Sequence, residues 1–322
     1  MSADRRSRAI AMLVLATPCW ALSFPVMKAL ALEQQKLLPE GTTWFFTALG
    51  VAVRFGTAGL LLLPVLFYLR QNISRREAEQ GIVLALFGGA GIAFQMDGLA
   101  YTAASTSAFL TQGYCVFIPC WLVLQHRRLP SAKIILCIAL VTAGTAILAN
   151  LDPRDLKLGC GELETLIASL FFTAQILVLE QPRYSENRPL PFSVVMFLAM
   201  AVFSLPLLLV TAPGAAACVR AYASPGAVGG MASLVIVCTL GGYMIMNHWQ
   251  PHVTATEAGL IYCLEPVFAS AFALFLPALI SAWTNISYPN EHLTARLLLG
   301  GGLITAANAF LQTPWLESKR EA

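Results

Sequence analysis

The chain has 322 residues, 57% of them hydrophobic and only 11% charged, with a mean hydropathy of +0.70. Soluble domains carry about a quarter charged residues, so this composition excludes an ordinary soluble protein and indicates many membrane spans with short loops. A formal charge of +3 does not suggest a nucleic-acid partner, and eight cysteines in or beside apolar runs, with no CxxC pair, read as apolar thiols rather than a disulfide framework or metal site.

Ten candidate spans lie at roughly 9–30, 43–69, 80–101, 103–124, 131–149, 160–181, 190–212, 227–249, 254–276 and 293–313. The first follows Arg5, Arg6 and Arg8, and Ala29-Leu30-Ala31 resembles a signal-peptide cleavage site. The run is long, however, and Pro18 and Lys28 interrupt it, so a retained first helix is expected. On that span Trp20, Ser23, Phe24 and Lys28 recur at three- and four-residue spacing and share a face. Trp20 and Phe24 either line a cavity or pack between helices. Lys28 either meets a solute carboxylate or snorkels to the interface.

Span two carries Arg54, and span three carries Gln95 and Asp97. An Arg54–Asp97 or Lys28–Asp97 pair would lower the cost of burying either charge, as a lock between helices or as a gate. Spans three and four meet at Tyr101-Thr102. Span four offers Gln112 and Tyr114 as polar groups, then Pro119. Span six begins with Glu162 and Glu164 and holds Gln175 near its middle. Span eight ends with Tyr243, Asn247 and His248; a lone histidine there reads more simply as packing than as a proton carrier.

Span nine, TATEAGLIYCLEPVFASAFALFL, has one charge in its interior, Glu265, roughly eleven residues from its start. At about 1.5 Å per residue the carboxylate reaches mid-membrane. Pro266 follows at once and predicts a kink there. An ionisable group at that depth marks a functional site unless a neighbouring helix satisfies it, and Tyr262 lies one turn earlier on nearly the same face. The 277–292 connection reads as an irregular loop, with a weak glycosylation sequon at Asn285. Gly88-Gly89, Gly91, Gly241-Gly242 and Gly300-Gly301-Gly302 read as close helix packing.

With the N-terminus inside, the inner segments hold Arg5, Arg6, Arg8, Arg70, Arg75, Arg76, Arg127, Arg128, Lys133, Arg183, Arg188, Lys319 and Arg320, and the outer loops only Lys36, Arg154, Lys157 and Arg220. This positive-inside bias with ten spans puts both termini in the cytoplasm. The chain also matches itself: Ser105 to Leu110 leads to Val116-Phe117-Ile118 as Thr256 to Ile261 leads to Val267-Phe268-Ala269, at a constant offset. Residues 1–150 and 151–322 then form two five-span halves. An odd number of spans inverts the second half, which is the plan of secondary transporters with a midplane site. The expected fold is thus an all-α integral membrane protein, ten transmembrane helices as two inverted five-helix repeats around a central cavity. No Walker, HExxH or GxSxG sequence is present, which argues against an ATP-driven pump and against an enzyme.

Several motifs together resemble the drug/metabolite transporter superfamily, specifically the EamA-type ten-helix permeases. Trp20-Ala-Leu-Ser-Phe24-Pro25 is similar to the opening motif of span one, Val53-Arg54-Phe55 to the RF pair of span two, and Leu264-Glu265-Pro266-Val267-Phe268-Ala269 to the LEPVFA run of span nine. The 101–119 junction and Gly161-Glu162-Leu163 also fit. The Gly-Glu pairs that relatives often carry after spans four and nine are replaced by Gln125-His126-Arg127-Arg128 and Leu276-Pro277-Ala278. The resemblance implies alternating access around a central cavity; relatives export amino acids, including aromatic ones, or carry other metabolites, nucleotide sugars or drugs. The expected function is a secondary transporter, an exporter of small organic metabolites such as amino acids in the inner or plasma membrane. A passive facilitator and a non-transporting scaffold or enzyme are the alternatives.

Expected cavity residues are Trp20, Phe24, Gln95, Gln112, Tyr114, Gln175, Tyr243, Asn247, Tyr262 and Glu265, with Lys28, Arg54 and Asp97 as gating or ion-pair residues and no metal or cofactor. Expected partners are a small-molecule solute and the bilayer, with coupled protons and a homodimer also compatible.

Overall fold

The structure is a computed structural model; it describes residues 3–127, 129–148, 159–284 and 286–312. Arg128, Arg154, Lys157, Asn285, Lys319 and Arg320, named above, lie outside the described residues. Those described form helices and connections, with no strand. Seven helices are long and apolar enough to cross a membrane: Asp4–Leu37, Thr43–Tyr68, Arg75–Tyr101, Ala104–Gln125, Cys160–Leu179, Pro189–Thr211 and Pro225–His252. A bent pair, Ala255–Ala273 with Leu276–Trp283, makes an eighth if counted as one span. The apolar helices within the remaining two expected spans, Ala132–Gly144 and Leu298–Phe310, are shorter. Leu60, Phe67, Leu124, Leu209 and Val210 point outward, as lipid-facing residues do. The chain is an integral membrane protein.

Several expected single helices are broken. The first is α1 (Ala3–Ala21) and α2 (Ser23–Leu37), parted at Leu22 between Pro18 and Pro25. α3 (Thr43–Tyr68) and α4 (Arg75–Tyr101) are continuous, each started by a side-chain cap: Thr42 accepts from the Phe45 N–H, and Ser74 with Glu77 forms a capping box. Span four is α5 (Ala104–Thr111) and α6 (Tyr114–His126), parted at Gln112-Gly113. α7 (Ala132–Leu148), α8 (Cys160–Leu179) and α9 (Pro189–Thr211) follow, then a short α10 (Ala215–Arg220).

Span eight is α11 (Pro225–Ser233), a ten-residue π-helical stretch at Leu234–Tyr243, and α12 (Met244–Trp249). Span nine is α13 (Ala255–Tyr262) and α14 (Glu265–Ala273). Its break falls at Cys263-Leu264, just before the kink expected at Pro266, because proline has no N–H to donate and its ring clashes with the carbonyl four residues back. The 277–292 segment is not irregular throughout: Pro277 sits in the first turn of α15 (Leu276–Trp283), where a missing N–H does no harm. α16 (Ala295–Gln312) closes the described chain.

Corresponding boundaries of α5–α6 and α13–α14 pair Ala104 with Ala255, Thr111 with Tyr262 and Tyr114 with Glu265, always about 151 residues apart. α3 packs on α9, α4 on α8 and α9, and α7 on α16. The π-helical stretch packs on α1 and α3, α5 and α6 on α8, and α13 and α14 on α1.

Lipid offers apolar surface as good as another helix, so packing in a membrane relies on close approach of small residues. At the α4–α8 crossing a Cβ on Gly98 would stand 2.8 Å from the Gly161 carbonyl oxygen, and one on Gly144 of α7 2.7 Å from that of Gly300 on α16. Both obstacles are backbone. Gly98→Val is therefore expected to lower stability by about 1–3 kcal/mol, the usual effect of overpacking. A thermal midpoint in detergent no lower than wild type would refute the close-contact account.

Candidate functional site: a polar cavity between broken helices

The breaks meet at a central cavity of about 60 Å³, where one water needs roughly 10–15 Å³. Seven of the ten expected cavity residues line it: Trp20, Gln95, Tyr114, Gln175, Tyr243, Tyr262 and Glu265. Ser23, Arg54 and Thr111 add polar groups. Ile92, Phe172, Ile176 and Met246 complete the wall and are absent from the sequence-based set. Phe172, Gln175 and Ile176 share one face of α8 by their three- and four-residue spacing, so Gln175 was the signal for its two neighbours.

Glu265 opens α14 and is 6% exposed. It accepts a hydrogen bond from Gln112 Nε2 at 3.2 Å. Gln112 stands at the break between α5 and α6, so the bond joins one broken helix to the other. The helix dipole also favours a carboxylate at the N-terminal end of α14. Tyr114 opens α6 as Glu265 opens α14.

An aromatic chain surrounds this point. Trp20 meets Tyr262 edge-on at 5.1 Å and Tyr243 at 5.8 Å, and Tyr262 meets Tyr114 at 6.4 Å. The Tyr262 hydroxyl donates to Gln250 Oε1 at 2.9 Å, and Gln250 Nε2 donates to the Ile176 carbonyl at 2.8 Å. Gln95 Nε2 donates to Thr111 Oγ1 at 3.0 Å. The absence of a side chain at Gly242 makes room for the Trp20 indole nitrogen.

Three expected cavity residues sit elsewhere. Phe24 is fully buried in the core, Asn247 donates to Ser193 Oγ at 2.8 Å, and Gln112 stands behind Glu265. The ion pairs expected for Asp97 do not form: neither Arg54 nor Lys28 has a carboxylate partner within salt-bridge distance. Lys28 instead donates to the carbonyls of Leu99 (2.7 Å), Ala100 (3.1 Å) and Thr102 (3.1 Å), where α4 ends and its carbonyls lack helical partners. Asp97 stands beside Thr43 and Glu164, away from the cavity wall. Glu257 belongs to the capping box of α13 and pairs with Arg6.

Residues 7–150 match the EamA-like transporter family. The resemblance read from Trp20 and Arg54 is thereby borne out; the Glu265 run lies outside the matched residues. The chain is also 24% identical over 295 residues to an "Uncharacterized transporter" of Archaeoglobus fulgidus, covering 89% of this chain and 82% of the relative. A solved crystal structure aligns with 97% of the chain and 98% of its own length, with a TM-score of 0.63 and 15% identity; that likeness concerns the fold. These matches point to a membrane transporter rather than an enzyme.

Gln250 supports both Tyr262 and α8, so Gln250→Leu is expected to lower the thermal midpoint by an amount equivalent to about 1–3 kcal/mol, the penalty for stranding buried polar groups. An unchanged midpoint would show that the Tyr262 hydroxyl needs no partner there.

Proposed function

We propose that the EamA-like chain is a secondary transporter that exports small organic metabolites such as amino acids by alternating access. Two five-helix repeats, 1–150 and 151–322, would make ten spans once α7 and α16 are counted. The helix packing supports this reading. Exchanging spans one to five with six to ten carries α4 on α8 into the π-helical stretch on α1, α5 and α6 on α8 into α13 and α14 on α1, and α3 on α9 or α7 on α16 into itself. The Lys and Arg bias supports cytoplasmic termini, in an inner or plasma membrane.

The observation that carries the proposal is the pair of equivalent helix breaks facing one buried carboxylate. Irregular backbone at membrane depth is tolerated where it lines a cavity or is covered by protein, and discontinuous helices are how secondary transporters hold solutes. Glu265 then receives a solute amine or a coupling proton. The cavity has room for only a few waters, so it widens to admit a solute, and the breaks let it do so. Solute carried against its gradient then draws on a second gradient, in keeping with the lack of a Walker sequence.

Reconstitution in proteoliposomes tests the proposal. Uptake or counterflow of a labelled amino-acid panel is expected to fall at least tenfold in Glu265→Gln, with an unchanged thermal midpoint. Full transport by that variant would sink the role of Glu265, and flux indifferent to an imposed pH gradient would remove the proton from the scheme.

A further inference from the structure

Arg54 is the observation that the expected ion pairs leave unexplained. It lies near the middle of α3 and is 1% exposed, yet lines the central cavity. Of the cavity-lining residues only Arg54 and Glu265 carry charge. Nε donates to Thr239 Oγ1 at 2.7 Å, and Nη1 reaches Met27 Sδ at 3.6 Å, a weak acceptor. The guanidinium carbon is 5.2 Å from the Phe55 ring centroid. Among the described residues Nη2 finds no acceptor, and no carboxylate stands within 4.0 Å. A guanidinium buried at this depth without a counter-anion is among the costliest arrangements a membrane protein can hold. It persists where an anion arrives from elsewhere.

We propose that Arg54 is the anion-binding residue of the central cavity and that the transported solute carries a single carboxylate. This deepens the proposed function and rests on it. The planar guanidinium fork matches a carboxylate bidentately, and the bonds from Nε and Nη1 hold it in place while Nη2 stays unpaired. Thr239 owes its position to the π-helical stretch, where its hydroxyl also donates to the Leu234 carbonyl five residues back. A dianionic phosphate would bring a second negative charge that Arg54, the one basic side chain in the lining, leaves unmatched. The aromatic faces of Trp20, Tyr243 and Tyr262 take the apolar remainder of the solute.

The test uses the full chain in detergent with three probes of one shape: 3-phenylpropionate, its amide, and 2-phenylethylphosphonate. Thermal stabilisation is titrated for wild type, Arg54→Gln and Arg54→Lys, and each is also melted without ligand. Stabilisation by the carboxylate and not the amide is expected, with a dissociation constant raised about 10- to 100-fold in Arg54→Gln and less in Arg54→Lys. Without ligand Arg54→Gln is expected to melt at or above wild type, since it removes an unneutralised charge. A ligand-free midpoint several degrees lower would make Arg54 structural and overturn the proposal. So would equal stabilisation by the amide, an undiminished response of Arg54→Gln, or no response of wild type to the carboxylate. A stronger response to the phosphonate would overturn the carboxylate class. Carboxylate binding that depends on Arg54, without flux in proteoliposomes, would count against the transport reading alone.

Discussion

The hydrogen bond from Gln112 to Glu265 is the join on which the cavity depends. Each residue sits where its helix stops and restarts. Breaking a helix frees backbone donors and acceptors that lipid cannot satisfy. The two breaks are therefore tolerable only facing each other and covered by the bundle. Once they face each other, the ends of four half-helices converge on one volume, and whatever occupies it meets helix ends as well as side chains.

The surroundings follow from that convergence. The π-helical stretch in span eight turns Thr239 and Tyr243 inward, one to hold Arg54 and the other to face Trp20. The space at Gly242 lets the indole approach. Farther out the contacts become plain close packing, backbone against backbone at Gly98–Gly161 and beside Gly144 and Gly300. Polar groups concentrate at the centre, and small residues draw the helices together around them.

Much of this was legible in the sequence because a bilayer restricts what a chain can do. Apolar run lengths located the helical segments, and a lone carboxylate followed by proline marked both the break in span nine and a residue of the cavity wall. The constant offset between halves anticipated that spans four and nine correspond, and they do break at equivalent points. The break in span four was not read, because Gly113 looks like any packing glycine and the more conspicuous Pro119 lies within a continuous helix. Arg54 was read as one half of an ion pair: polar residues announce depth, but partnership across helices is a matter of rotation about each axis. For the same reason Phe24 and Asn247 sit away from the cavity despite sharing a span with residues that line it. The length of α15 was missed because prolines suggest disorder in a loop, whereas Pro277 starts a helix.

The three bonds from Lys28 to the end of α4 have a mechanical consequence. They rivet α2 to the end of α4, while α1, beyond the interruption at Leu22, is not held by that rivet. Leu22 is then a fulcrum and α1 a lever. Over the roughly 28 Å length of its 19 residues, a rotation of about 10° carries the far tip some 5 Å sideways, while Trp20, beside the pivot, scarcely moves. The aromatic wall would then stay assembled while the far end of α1, with its Arg6–Glu257 contact, takes up the displacement.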